Sequence, residues 1–298
     1  MEKKSPPTLS HWMMAIRPKT LPAAVGPVLV GSAMAYVSDA FHLLPALGCL
    51  LASFFLQIGV NLANDYFDYK GGIDSEERLG PVRVTQSGLI APETVRLAMF
   101  VCLGCAALIF LYLAVVGGMV LVVIGIVSII AAFGYSGGPW PLASHGMGEL
   151  FVFIFFGLVA VGGTYWVQAH QMSWLVMLAA IPPGLLISAI MMVNNLRDID
   201  TDRKAGKNTL AVKLGQWRTI QGYRVLLLAS YIVPVVFILL GGKSALILPF
   251  ITLPVAIGCM RCIGCESGDG LNGLLARTAR LSFLYCLLFA AGLVYGLT

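Results

Sequence analysis

The chain has 298 residues, 58% of them hydrophobic and 11% charged, with a mean hydropathy of +0.88 and a net charge of +5. Soluble domains carry about a quarter charged residues, so this composition excludes a water-covered globule and gives a polytopic membrane protein. The basic excess is therefore a matter of membrane orientation, and nucleic-acid binding is not expected.

The opening Met1-Glu-Lys-Lys-Ser-Pro-Pro leads into no short apolar run with a small-residue cleavage site, which argues against a removable signal peptide. Apolar runs near the bilayer-crossing length of about 20 residues follow at 20–38, 43–64, 97–116, 119–135, 148–166, 174–194, 224–241, 244–261 and 280–297. They predict an all-α polytopic membrane protein, a bundle of nine transmembrane helices in one domain over 1–298. Pro22 and Pro27 interrupt the first run and predict a kink or partial unwinding near its start. Gly117-Gly118 and Gly241-Gly242 predict tight turns inside two helix pairs.

With the N-terminus in the cytoplasm, 18 of the 19 Lys and Arg residues fall on or beside cytoplasmic segments, and Lys243 alone lies opposite. The positive-inside rule fixes that orientation. Of 14 acids, only Asp39 lies on the far side. The seven cysteines, including the Cys259-x-x-Cys262-x-x-Cys265 spacing, have no second Cys/His pair and read as helix packing.

Two acidic stretches end the second and sixth runs: Asn61-Leu-Ala-Asn-Asp65-Tyr-Phe-Asp68 and Asn194-Asn-Leu-Arg-Asp198-Ile-Asp-Thr-Asp202. Asn61, Asn64, Asp65 and Asp68 share one helical face, as do Asn195, Asp198 and Asp202. A cap needs one such residue; a stripe of four is more than a cap. Asp65 and Asp198 are 133 residues apart, a four-helix interval that suggests an internal pseudo-repeat with a ninth helix added.

Asp65, Asp68, Asp74, Asp198, Asp200 and Asp202 would repel one another if brought together without cations. Mg²⁺ relieves that, being held by one or two carboxylates plus phosphate oxygens. Lys70, Arg78, Arg83, Arg197, Arg203, Lys204 and Lys207 flank the motifs, and Arg17 and Lys19 flank the first helix on the same side. A metal–diphosphate site beside a lipid-depth cavity points to an isoprenyl diphosphate, ionised at its allylic C–O bond and captured by an electron-rich acceptor. Tyr66, Tyr69 or Tyr135 would offer a ring face to the cation.

Asn64-Asp65-x-x-Asp68 and Asp198-x-x-x-Asp202 resemble the two aspartate-rich motifs of the UbiA superfamily of intramembrane aromatic prenyltransferases. Arg17-Pro-Lys-Thr-Leu-Pro-Ala-Ala-Val-Gly-Pro27, Gly80-Pro-Val-Arg-Val-Thr-Gln-Ser-Gly88, Gly134-Tyr-Ser-Gly-Gly-Pro-Trp-Pro141 and Leu271-Asn-Gly-Leu-Leu-Ala-Arg-Thr-Ala279 are similar to the branch that prenylates 1,4-dihydroxy-2-naphthoate. The resemblance implies a helix bundle around a central cavity in a bacterial cell membrane, with the site facing the cytoplasm. It implies Asn64, Asp68, Asp198 and Asp202 as catalytic metal- and diphosphate-holding residues, with Asp65 and Asp74 as further metal ligands. Lys207, Arg83, Arg203 and Tyr135 would contact the diphosphate substrate. The first motif departs from the family pattern, since position 72 is Gly and the next acid is Asp74. The implied partners are Mg²⁺, a polyprenyl diphosphate, 1,4-dihydroxy-2-naphthoate and membrane lipid. The implied reaction is prenyl transfer with loss of CO₂, giving demethylmenaquinone. Glu149 is a further candidate, either for contact with the naphthoate hydroxyls or as an acid at a helix start. Competing readings are another aromatic acceptor, such as 4-hydroxybenzoate or homogentisate, and an ion-coupled transporter. Transporter acids usually lie at mid-bilayer on broken helices, whereas these sit at helix ends on one side.

Overall fold

The computed structural model describes residues 6–72 and 79–298. Asp74 and Arg78 lie outside the described residues. Thr8 caps α1 (Leu9–Ile16) by accepting the His11 amide. A single turn, Pro18–Thr20, then leads into α2 (Pro22–Val37), and the two parts are bent by 45°. The bend falls between Pro18 and Pro22, which withhold backbone donors, as expected for Pro22, whereas Pro27 lies inside continuous α2.

The chain continues through α3 (Leu43–Lys70), α4 (Pro92–Gly117) and α5 (Met119–Gly134). Gly118 closes the α4–α5 turn at φ 75°, a left-handed angle that glycine adopts without strain. The next span starts as α6 (Gly148–Val152), widens into a π stretch over Phe153–Val159, and resumes as α7 (Ala160–Ala169). Then come α8 (Trp174–Arg197), two short helices α9 (Ile199–Lys204) and α10 (Leu210–Leu214), and α11 (Gln216–Leu239). Gly241, at φ 99°, turns the chain into a 3-10 stretch (Ser244–Thr252), followed by α12 (Leu253–Cys262) and α13 (Leu271–Leu297).

Each of the nine apolar runs is helical. By length and apolarity, seven helices among the described residues can cross a membrane, or eight if the bent first pair is one span; Met119–Gly134 is a shorter apolar helix. Several of the spanning helices are also longer than their apolar runs. At 1.5 Å per residue the 28 residues of α3 reach about 42 Å, beyond a hydrocarbon core of about 30 Å. Its polar end, carrying Asn61 to Asp68, therefore extends toward the headgroups.

α3 packs along α4; α8 packs on α11 and α13; α2 lies between α7 and α13. The largest core cluster centres on Tyr165, Tyr223, Tyr285 and Phe289. In lipid a buried hydroxyl must find a protein partner. Tyr223 and Tyr231 share hydrogen bonds with Thr278 and Thr252 at 2.8 and 2.6 Å, and Tyr285 donates to the Ser230 carbonyl. Outward, Val115, Leu239 and Ile130 stand exposed, as lipid-facing side chains should. Gly157 in the π stretch meets Gly184 of α8 so closely that a Cβ on Gly157 would lie 3.0 Å from the Gly184 Cα. Small residues permit such a crossing.

Candidate active site

The ends of α3 and α8 converge. Asn64 and Asp68 from α3, and Asn194, Asn195 and Asp198 from the α8 end, line one polar cavity of about 90 Å³. Asp202 and Thr201 of α9, Lys207 and Thr209 beyond it, Arg83, Tyr135 and Ser136 complete the wall. Of the residues expected in the site, this places Asn64, Asp68, Arg83, Tyr135, Asp198, Asp202 and Lys207 together.

Asp68 is the hub. Arg83 Nη2 donates to its Oδ2 at 2.7 Å, and Lys207 Nζ donates to its Oδ1 at 3.2 Å, joining segments 139 residues apart. Across the cavity, Arg197 grips Asp198 with Nε and Nη2 at 2.8 and 2.6 Å. The same guanidinium donates to Asn194 Oδ1 and Asn272 Oδ1, both at 2.9 Å. Asn272 in turn donates to the Leu79 carbonyl at 3.0 Å. Ser136 Oγ donates to Asn64 Oδ1. Asp202 is biased toward its neutral form. Burial first, and the charges of Asp198 and Asp68 after it, push its carboxyl up to about 6, with Lys207 opposing.

Two expected site residues stand outside the wall. Asp65 is 1% exposed and accepts the backbone amides of Val84 and Thr85 at 3.1 and 3.0 Å. At 100° per residue Asn64 and Asp65 occupy opposite edges of the stripe, with Asp68 between. One edge faces the cavity and the other faces the loop. Asp65 thus holds in place the segment from which Arg83 reaches Asp68. Arg203 is exposed and pairs with Asp200 at 3.3 Å, so both charges lie on the outer side of α9.

Glu149 stands behind the wall. Its Oε1 accepts from Asn195 Nδ2 at 2.8 Å, and its backbone carbonyl accepts from Ser188 at 2.9 Å. Asn195, so anchored, is itself part of the cavity lining. Tyr66 is buried and Tyr69 exposed, and neither lines the cavity; Tyr135 does, donating to Met191 Sδ at 3.4 Å.

The polar cavity adjoins a second one of about 320 Å³, and Asn64, Arg83, Tyr135, Met191 and Asn194 line both. The second is mainly apolar. Phe155, Phe156 and Val159 of the π stretch and Ile187 and Ile190 of α8 form one wall, while Arg17, Lys19 and Thr20 lie in its lining.

The donor set suits a hard cation. Three carboxylates and several amide and hydroxyl oxygens surround a small space, and the lifted Asp202 carboxyl reflects their crowding as well as its burial. Among the described residues no three His, Cys, Asp or Glu side chains close on one point. Acids that line one cavity without forming an all-protein cage suit Mg²⁺ shared with phosphate oxygens.

Residues 24–264 match the UbiA prenyltransferase family. The chain is 35% identical over 298 residues to the 1,4-dihydroxy-2-naphthoate octaprenyltransferase of Haemophilus influenzae, covering 97% of each. It is 37% identical over 292 residues to the enzyme of the same name from Mycobacterium tuberculosis, covering 97% of this chain and 98% of that one. Among solved structures it resembles a UbiA homolog from Archaeoglobus fulgidus bound to DMAPP and Mg²⁺. That likeness has a TM-score of 0.67 at 15% identity, over 95% of this chain and 98% of that one.

Proposed function

Because the chain belongs to the UbiA prenyltransferase family, we infer that it transfers a polyprenyl group from an allylic diphosphate to 1,4-dihydroxy-2-naphthoate. Diphosphate and CO₂ leave, and the product is the demethylmenaquinone skeleton in its quinol form. One observation carries this reading: the acidic ends of α3 and α8 meet in a polar cavity that shares a wall of five residues with an apolar one. A diphosphate ester with a hydrocarbon tail needs both.

In this reading Asn64, Asp68, Asp198 and Asp202 hold Mg²⁺ against the diphosphate. Bound Mg²⁺ supplies charge neutralisation for the leaving diphosphate. Arg83 and Lys207, already beside Asp68, bring positive charge to the same phosphate oxygens. The allylic C–O bond breaks with its electron pair going to the diphosphate. Tyr135, lining both cavities, presents its ring to the allylic cation. The naphthoate carbon bearing the carboxylate gives an electron pair to the new C–C bond. Its bond to the carboxylate then breaks, CO₂ leaves, and the electron pair restores the aromatic ring. No base is required at that carbon. The enclosing helices keep water from the cation.

The N-terminus and the site face the cytoplasm of a bacterial inner membrane, on the distribution of Lys and Arg. The two motif-bearing helices, α3 and α8, belong to matching halves of an internal pseudo-repeat.

The test is a Mg²⁺-dependent assay of the purified protein with labelled allylic diphosphates of graded length. 1,4-Dihydroxy-2-naphthoate, 4-hydroxybenzoate and homogentisate are offered as acceptors. Prenylated naphthoquinol with matching CO₂ is expected; transfer to a benzoate acceptor alone would overturn the assignment.

A pH effect follows from Asp202. Above about pH 6 its carboxylate is ionised and available to the cation; below, a proton competes. Apparent Mg²⁺ affinity is expected to fall about tenfold between pH 7 and pH 5. Calorimetry in two buffers of different ionisation enthalpy should register the displaced proton near pH 6, and Asp202→Asn should remove it.

A further inference from the structure

The larger cavity is not uniformly apolar. Against the hydrocarbon wall of Phe155, Phe156, Ile187 and Ile190, the α3 side presents Ser53, Gln57, Asn61 and Asn64. At 100° per residue, Ser53, Gln57 and Asn64 lie within about 40° of one another on the helix. The lower end of this ladder is occupied. Asn61 donates to the Ile16 carbonyl and to Thr20 Oγ1 at 2.9 and 3.1 Å, and Asn64 accepts from Ser136.

Gln57 differs. It lies seven residues, about 10 Å, from Asn64 toward the membrane interior. Among the described residues its amide has no hydrogen-bond partner. An amide with two donors and an acceptor left unmatched at membrane depth is unfavourable. A prenyl tail does nothing to relieve it, because a tail is hydrocarbon throughout. A hydroxylated ring does.

We propose that Gln57 selects the acceptor, its amide hydrogen-bonding the ring hydroxyl remote from the carboxylate of the dihydroxynaphthoate. The assignment rests on the prenyl-transfer reading above. The ring then lies along the α3 stripe and the prenyl tail along the phenylalanine-lined wall. Arg17 and Lys19, in the lining near Asn61 and Thr20, offer positive charge to the carboxylate. This directs the carboxylate-bearing carbon toward the Asn64 end, where the allylic carbon is released, and the remote hydroxyl toward Gln57.

A site built to bond a hydroxyl rejects the analogue that lacks it. The test compares 1,4-dihydroxy-2-naphthoate with 1-hydroxy-2-naphthoate, read as the KM of the first and the competitive inhibition constant of the second. In Gln57→Leu the preference for the dihydroxy compound is expected to shrink about tenfold, the value of one buried hydrogen bond, while the KM for the prenyl diphosphate stays unchanged. If the Leu variant loses the diphosphate KM through misfolding, Gln57→Met, closer in length and flexibility, replaces it. An unchanged preference overturns the Gln57 assignment and leaves the naphthoate reading standing. Failure of the unaltered protein to prenylate the dihydroxynaphthoate, with another acceptor prenylated instead, overturns both.

Discussion

Asp68→Asn is expected to lower kcat by about 10²–10³-fold, the range seen when one preorganised electrostatic group is removed from an active site. Asp68 is where three elements meet, since Arg83 and Lys207 both end on its carboxylate. Asn keeps the shape and loses the charge. Arg83 and Lys207 then face the cavity without that anion and attract a diphosphate directly, so substrate binding should survive while turnover collapses. The measurement is diphosphate release alongside the KM for the prenyl substrate. Wild-type turnover would remove Asp68 from the role given to it.

Arg197→Leu has the second large effect, and it acts on stability as well as activity. The Arg197 side chain is 2% exposed, and its guanidinium makes four hydrogen bonds, to Asp198, Asn194 and Asn272. Breaking a buried pair by removing one partner leaves the other charge uncompensated and costs about 3–5 kcal/mol. The loss also unties α8 from α13 and, through Asn272, from Leu79. Unfolding in detergent should shift accordingly. Arg197→Lys should restore only part of it, because an ammonium lacks the planar fork that holds both Asp198 oxygens. A Leu variant of native stability would show that the four bonds are dispensable.

Much of this site is legible in the amino-acid sequence, because polar side chains are scarce in a chain of this composition and those at the ends of apolar runs stand out. Asn64, Asp68, Asp198 and Asp202 are conspicuous for that reason. Helical spacing locates the stripe but not its edges. It does not distinguish Asp65, which faces the Val84–Thr85 amides, from Asn64, which faces the cavity. Asp200 and Arg203 are close to the second motif along the chain, yet they lie on the outer side of α9. Arg197 is one basic neighbour among several in the sequence; its bond to Asn272 is a contact between distant segments and leaves no local signature. Gln57 is hidden by its surroundings, as a single amide inside an apolar run reads as part of that run.

Helix extents show the same divide. Hydropathy marks the lipid-crossing part of each span, but α3 runs on to Lys70, α11 starts at Gln216 and α13 starts at Leu271. Those extra turns are richer in polar residues and stand outside the hydrocarbon, where a hydropathy window does not reach.

The most direct measurement is a titration of the purified protein with an unreactive prenyl diphosphate analogue, with and without Mg²⁺, for the unaltered chain and for the Asp68→Asn/Asp202→Asn double variant. Mg²⁺ should tighten binding to the unaltered chain at least about tenfold and make no difference to the double variant. The same Mg²⁺-dependent gain in both would contradict a cavity in which α3 and α8 hold the cation between them.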